Sequence, residues 1–423
     1  MISIAPTPLY LPAEEANKAV RSPIFQRKDV SSSSMKDGQQ TTTTPINNSV
    51  EIEKPIINTP AIIIDNTKNN NININNEFKP FVKKATHPIY YGSLNQEQSQ
   101  LIESSDIGIL GSAPKITTEG LGGGVYFLSK GGKQQSHPVS VFKPKDEENG
   151  IIGPNHTIQG LKNGTMPGEG VYKEVAVYLF DQLNKGFFKV PTTTLVRIQH
   201  PLWNNNDTDL PTTKIGSLQE YVVYEDSAEG MGCSKFSTPD VHRIGLLDCL
   251  IFNCDRHTGN LLVVAKDDPQ SSFDQLELIP IDHSLCLPSP DNLSDAWFDW
   301  IHFPQAKVPF TREVKEMILS MDIDKIIESL HNKLPKLRLQ CLETLKITTT
   351  FVKKAIEANL TLYQIGTLMS RLHLDEPSCL EKIVYKVNSH RLFKQHHRFQ
   401  HHLRSASYWN YLEKEIDLFL IDY

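Results

Sequence analysis

Asp255 and Asn260 lie five residues apart in the run Asp255-Arg-His-Thr-Gly-Asn260, between an apolar helix-like stretch and an apolar strand-like one. Phosphoryl transfer asks for a carboxylate facing the attacking hydroxyl and an amide oxygen on a metal ion, and this spacing can provide both. A further carboxylate, Asp282, ends the strand-like run Leu276-Glu-Leu-Ile-Pro-Ile-Asp282. At the end of a buried strand it must be hydrogen-bonded or metal-bound to offset its desolvation. Asn260 and Asp282 are therefore the candidate ligands of a Mg2+ ion held against phosphate oxygens. Arg256 and His257 add positive charge beside Asp255.

The same chemistry needs a clamp over the phosphates and a cation on them. Gly120-Leu-Gly-Gly-Gly124 is the clamp candidate, with Gly120, Gly122, Gly123 and Gly124 letting backbone N–H groups approach phosphate oxygens. On glycine content alone, a plain hairpin turn accounts for the run equally well. Lys143 is the cation candidate, at the end of the alternating run Pro138-Val-Ser-Val-Phe-Lys143. Glu174, on the next helix-like stretch, could pair with Lys143 and hold its ammonium extended towards the α- and β-phosphates. Taken singly, these residues also read as a solvated lysine, an exposed helix carboxylate and an Asp/Asn capping turn. Their order along the chain favours phosphoryl transfer.

Other clusters carry less. His396, His397, His401 and His402 read as a solvated basic tail, because no Cys or carboxylate completes a metal site at fixed spacing. Trp297, Phe298, Trp300 and Phe303 read as packing between lobe and helices, with lipid contact as the alternative. No Ser-His-Asp or Cys-His arrangement is visible.

The elements around these residues follow from periodicity and punctuation. Residues 1 to about 85 are rich in Ser, Thr and Asn and cannot bury enough apolar area to offset chain entropy. The low-complexity, disordered N-terminal region is expected to run to residue 105, and the folded part to begin near Lys115. A hairpin over about 119–144 precedes a helix over 169–183, with Val171, Val175, Tyr178, Leu179 and Leu183 on its buried face. Strands are expected over 190–197 and 214–224, a helix over 240–252, and strands over 261–265 and 276–282. Beyond Pro309 the pattern is helical, over about 311–331, 336–357, 361–372 and 376–388. Strands, one helix, more strands and then helices suit two lobes around a cleft better than a doubly wound sheet.

Composition bounds the alternatives. The 423 residues are 39 % apolar, enough for a sizeable core once polar tails are set aside. Lysines and arginines total 43 and carboxylates 49, a net charge of −6 that gives no global case for nucleic acid. The six cysteines form no Cys-x-x-Cys pair, which points to a reduced, intracellular protein. No secretion signal and no run of about 18 apolar residues is present, so no transmembrane span is expected. Cytoplasmic placement is expected, with contact at a membrane surface if a lipid is the acceptor.

Several motifs together resemble the phosphatidylinositol 3- and 4-kinase superfamily, closest to its type II-like phosphatidylinositol 4-kinases of the gamma group. They are Glu119-Gly-Leu-Gly-Gly-Gly-Val-Tyr-Phe127, Val141-Phe-Lys-Pro144, Gly168-Glu-Gly-Val-Tyr-Lys-Glu174, Lys214-Ile-Gly-Ser-Leu-Gln219, Asp255-Arg-His-Thr-Gly-Asn260 and Leu278-Ile-Pro-Ile-Asp-His283. The likeness runs over about residues 115–388. It implies an α+β, bilobal protein-kinase-like fold with a β-rich N-lobe (about 115–224) and a mostly helical C-lobe (about 225–388). A kinase domain over 106–388 and a C-terminal tail over 389–423 follow. It also implies ATP and a divalent metal, Mg2+ or Mn2+. By the same resemblance Lys143 contacts phosphate with Glu174 supporting it, and Glu220, Tyr221 and Val222 meet adenine through backbone groups. Asp255 is catalytic, His257 shares proton handling with it, and Asn260 and Asp282 bind metal.

Three departures from the family pattern are visible. Ser284 stands where glycine is expected after Asp-His, and should stiffen the metal-binding turn. No cysteine precedes Cys233, so the Cys-rich palmitoylation run of animal type II enzymes is absent from this sequence, and no ubiquitin-like domain is evident before the kinase motifs. The implied activity is transfer of the ATP γ-phosphate to the 4-hydroxyl of phosphatidylinositol at a membrane surface. A Ser/Thr protein kinase acting on a protein substrate is the alternative, and a non-catalytic nucleotide-binding scaffold a more distant one.

Overall fold

The structure is a computed structural model that describes residues 81–84, 94–111, 113–117, 124–129, 138–152, 158–203, 213–266, 275–390 and 404–423. The first lobe contains β1 (Phe81–Lys84), α1 (Gln96–Gly111), β2 (Lys115–Thr117), β3 (Val125–Ser129), β4 (Pro138–Pro144), β5 (Ile151–Ile152), β6 (Ile158–Gln159), α2 (Gly170–Leu183), β7 (Thr193–Gln199) and β8 (Thr213–Glu220). Six of the strands form one antiparallel sheet in the order β1-β7-β8-β4-β3-β2, and β5 pairs with β6. Alternation along β7 divides its side chains between two cores. Val196 and Ile198 pack with Leu101 and Ile109 of α1, whereas Leu195 joins the cluster around α2. The helix α2 is buried from Gly170 to Asp181, because the sheet and the second lobe cover it from different sides.

The second lobe contains β9 (Asp226–Ser227), α3 (Thr238–Leu250), β10 (Leu261–Ala265), β11 (Leu276–Pro280), α4 (Arg312–Leu319), α5 (Ile323–Lys333), α6 (Leu339–Glu357), α7 (Leu362–Met369), α8 (Cys379–Ser389) and α9 (Ala406–Asp422). The three strands pair in the order β11-β10-β9, and α6 packs against α3, α4, α5 and α9. The architecture is the α+β, two-lobed one expected. Among the described residues, no helix is long and apolar enough to cross a membrane.

Two segments expected as tail belong to the fold. Within the region assigned to disorder up to residue 105, β1 pairs with β7 and α1 crosses the sheet. Polar ties hold α1 as much as apolar ones: Gln98 donates to the Thr193 carbonyl at 2.9 Å, Ser105 meets Ser140 at 2.7 Å, and Asp106 accepts from the Val82 amide at 2.8 Å. Leu101 and Ile109 are buried while Ile107 and Leu110 are exposed, so the segment carries no clean apolar stripe. The expected tail over 389–423 contains α9, which buries Tyr408, Trp409, Leu412 and Ile416 against α6 and α8. Smaller differences follow from turns. The stretch 311–331 breaks into α4 and α5 at Ser320–Asp322, where Asp322 caps the second helix. Leu183 is exposed at the end of α2. The N-terminal low-complexity runs and the histidine cluster at 396–402 lie outside the described residues.

The helix α3 delivers the chain to the candidate site, so its seating matters. Ser237 accepts from the Asp240 amide at 3.2 Å to cap its start, and α7 lies close against it. At Gly245 a Cβ would fall 2.4 Å from a methyl of the fully buried Leu362. Gly245→Ala should therefore lower stability by about 1–3 kcal/mol through overpacking, read as a lower denaturant midpoint at unchanged slope.

Candidate active site

The loop after α3 is organised by a carboxylate that the motif reading does not include. Asp248, fully buried on α3, accepts from Arg256 Nε through both oxygens at 3.0 Å, from Asn253 Nδ2 at 2.9 Å and from Trp300 Nε1 at 3.0 Å. Beyond the end of the helix the chain turns at Phe252, with φ +46°, and Asn253 then accepts from the Asp255 amide at 2.9 Å. These contacts turn the chain so that the Asp255 side chain, about one-third exposed, faces outward while Arg256 points inward. Arg256 was expected to add charge beside Asp255. Instead it is fully buried and donates through Nη1 to the carbonyls of Asn260, at 2.7 Å, and Ile281, at 2.8 Å. Its charge neutralises Asp248 and ties the two halves of the site together.

That tie lies at one end of the β10–β11 hairpin. Leu261 pairs with Pro280, so Asn260 and Ile281 are opposed just beyond the ladder, and the Ile281 amide donates to the Asn260 carbonyl at 3.1 Å. Asn260 and Asp282 are thus brought to the same end, as metal binding at both would require. Asn260 Nδ2 donates to the Asp255 carbonyl at 3.1 Å, which fixes the amide and leaves Oδ1 as its acceptor end. Asp282 adopts φ +55°, and Ser284 donates to its Oδ1 at 2.9 Å. The serine in place of the expected glycine therefore orients the carboxylate. Among the described residues no group of three or more His, Cys, Asp or Glu forms a metal cage. Two oxygen donors suit a hard cation such as Mg2+, which keeps waters and arrives with nucleotide phosphates.

Lys143 joins the lobes. From β4 it donates to Glu174 Oε1 at 2.5 Å, as expected, and also to Asp282 Oδ1 at 2.9 Å. Glu174, buried on α2, reaches the same turn a second time by accepting from the His283 amide at 3.1 Å. Burial opposes the charge on Lys143, but Asp282 and Glu174 outweigh it and hold its pKa above the ordinary lysine value. Burial likewise favours the neutral carboxyl of Asp282 and of Glu174, and Lys143 outweighs it in both, so both pKa values lie below their ordinary range. The buried His283 ring is pushed the other way by desolvation, which lowers its pKa.

A sign follows for stability. Depressed carboxylate values stabilise the fold above the unfolded-state range and lose that contribution as pH falls through the folded values. The raised Lys143 value adds stability that is complete below the ordinary lysine range and lost only above it. The stability gap between wild type and Lys143→Met should therefore stay constant from about pH 6 to about pH 9 and narrow below about pH 4, as measured by urea titration at each pH.

Other expected residues are placed less simply. Gly120, Gly122 and Gly123 lie outside the described residues. At Gly124 a Cβ would overlap the Glu147 carboxylate, which accepts from the Tyr126 hydroxyl at 3.0 Å, so the glycine there is explained by close side-chain approach. In the hinge, the Glu220 amide donates to the Thr192 carbonyl at 2.8 Å and the Tyr221 amide to the Val139 carbonyl at 3.1 Å. Both of these amides are committed within the protein. The His257 ring lies against Gly259, and among the described residues no hydrogen bond joins it to the Asp255 carboxylate. The aromatic cluster divides: Phe298, Trp300 and Phe303 are core, whereas Trp297 is 54 % exposed and donates to Asp299.

Sequence reasoning missed Asp248, Asn253 and Lys162. A lone carboxylate in Leu246-Leu-Asp-Cys-Leu-Ile251 was a readable signal for Asp248, since an unpaired charge is not buried. Lys162 carries no such signal. Its Nζ lies 3.1 Å from Asp255 Oδ1, brought there by a loop more than ninety residues earlier in the chain.

A family model described as phosphatidylinositol 3- and 4-kinase matches residues 123–365. The chain is similar to phosphatidylinositol 4-kinase gamma 6 of Arabidopsis thaliana, 39 % identical over 323 residues that make up 71 % of this chain and 50 % of that protein. It is similar to gamma 7 of the same plant, 41 % identical over 65 % of this chain and 44 % of the relative. A phosphatidylinositol 4-kinase gamma 4 of Oryza sativa subsp. japonica is 39 % identical over 67 % of this chain and 50 % of the relative. The chain spans about half the length of these relatives.

Proposed function

Because this chain belongs to the phosphatidylinositol 3- and 4-kinase family, we propose that it transfers the γ-phosphoryl group of ATP to the 4-hydroxyl of phosphatidylinositol. The observation that carries the reading is the inter-lobe contact of Lys143 with Glu174 and Asp282, at the hairpin end that also holds Asn260. A site for nucleotide phosphates needs a cation and metal-binding oxygens at one point, and these residues supply both. The names of the relatives favour a phosphoinositide acceptor and its 4-position.

Lys143 contacts phosphate oxygens, and Glu174 keeps its ammonium extended across the cleft. Asn260 Oδ1 and the Asp282 carboxylate would hold the divalent ion, Mg2+ or Mn2+, which would supply positive charge against the nucleotide phosphates. Asp255 orients the acceptor hydroxyl and takes up its proton, with His257 beside it in the loop. The acceptor oxygen bonds to Pγ, the bond from Pγ to the β,γ-bridging oxygen breaks, and the electron pair leaves with ADP. Membrane lipid is reached from the surface.

Purified chain with γ-labelled ATP, Mg2+ and phosphatidylinositol vesicles should yield labelled phosphatidylinositol 4-phosphate. No label above an Asp255→Ala control would sink the proposal, and label confined to added protein would replace the lipid acceptor with a protein one.

A further inference from the structure

We propose that Lys162 is a second catalytic cation, one that leaves Asp255 for the γ-phosphoryl oxygens when ATP binds. The inference rests on the phosphotransferase reading above.

The transferring group needs positive charge where the acceptor attacks. Lys143 is held by Glu174 and Asp282. Arg256, adjacent to Asp255 in sequence, is turned into the core and spent on Asp248. The cation at Asp255 is Lys162, 3.1 Å from Oδ1.

Its loop is built to hold it there. The Thr165 amide and hydroxyl both donate to the Lys162 carbonyl, at 3.1 and 2.6 Å, and the Thr165 hydroxyl accepts from the Lys162 amide at 3.3 Å. The Asn163 amide donates to Asp295 Oδ2 at 2.8 Å, and its side chain donates to Asp295 Oδ1 at 3.0 Å. The Gly164 carbonyl accepts from the Ser289 amide at 2.9 Å and from Arg338 Nη2 at 2.8 Å. Gly164 has φ +76°, and a Cβ there would stand 2.7 Å from Asn292 Cβ. A first-lobe loop is thus fastened to the second lobe directly after Lys162, through Asn163 and Gly164, while its ammonium end stays accessible. The side chains of Lys162 and Asp255 are 26 % and 34 % exposed. A pair that wet contributes little to stability and is readily exchanged for a phosphate.

In the transfer step Lys162 stays protonated and donates N–H to oxygens of the moving phosphoryl group. Its departure frees the Asp255 carboxylate to accept the proton of the acceptor hydroxyl as the oxygen–phosphorus bond forms. ADP departs with the electron pair of the broken bond.

The test compares Lys162→Met, Lys162→Gln and Lys162→Arg with wild type in Mg2+. The readouts are ATP hydrolysis to water, lipid phosphorylation, and the separate affinities for ATP and ADP. The Met and Gln variants should lose about 10²–10³-fold in kcat on both acceptors. They should also lose any preference for ATP over ADP, while ADP affinity stays at the wild-type value. Lys162→Arg should recover part of the rate. Met and Gln variants turning over within about threefold of wild type would overturn the proposal, as would equal losses of ATP and ADP affinity, the mark of a structural role. Wild type that binds neither nucleotide overturns Lys162 and the phosphotransferase reading together. Wild type that hydrolyses ATP without labelling phosphatidylinositol overturns only the lipid acceptor, and the same loss in hydrolysis then upholds Lys162.

Discussion

Asp255→Ala should bind ATP at least as tightly as wild type and transfer its γ-phosphoryl group about 10²–10⁴-fold more slowly. Among the described residues the side chain makes one ion pair, with Lys162, and it is about one-third exposed. The loop geometry depends on backbone groups that the substitution keeps: the Asp255 amide, held by Asn253, and the Asp255 carbonyl, which accepts from Asn260. Folding should therefore be nearly unchanged. Removing the carboxylate also removes a negative charge near the γ-phosphate, so ground-state affinity should hold or rise while the rate falls. Single-turnover transfer with saturating ATP, alongside a nucleotide titration, separates these effects. A rate within about tenfold of wild type would remove Asp255 from the chemistry.

Asp248→Ala should be the most damaging substitution for stability, lowering it by about 3–5 kcal/mol. The change leaves the fully buried Arg256 guanidinium without its counter-charge and strips the acceptor from Asn253 and Trp300. Arg256 also clamps the Asn260 and Ile281 carbonyls, so its displacement should loosen both candidate metal ligands. Activity should fall even at temperatures where the protein stays folded. Urea unfolding measures the first effect and the Mg2+ dependence of turnover the second. Adding Arg256→Met to Asp248→Ala removes the stranded charge, so the double variant should be more stable than the sum of the two single changes predicts. Strict additivity would mean that the two side chains do not act as a unit.

Sequence legibility divided along physical lines. Periodicity located α2, α3, β10 and β11 to within a few residues, because each buries an apolar face that leaves its spacing in the chain. It missed α1, whose hold on the sheet is shared by Gln98, Ser105 and Asp106, residues that read equally well as solvated. It also missed α9, where an acidic, aromatic segment hides a buried stripe of Tyr408, Leu412 and Ile416. The pairing of Lys143 with Glu174 was legible from the order of elements, whereas the contact of Lys143 with Asp282 depends on how the two lobes meet.

Sequence by itself determined the chemical inventory: a cation, a supporting carboxylate, a loop acid, an amide and a further carboxylate, in an order that suits phosphoryl transfer. Residue type and short-range spacing carry that information, because each motif folds as one local turn. Tertiary structure alone decided which way adjacent side chains face and which distant groups they meet. Arg256 and Asp255 are neighbours in the chain, yet one neutralises a buried carboxylate and the other opens to the cleft. Lys162 reaches Asp255 only because Asn163 and Gly164 bind their loop to a surface formed far along the chain. Those outcomes follow from desolvation and long-range packing, which no local spacing records.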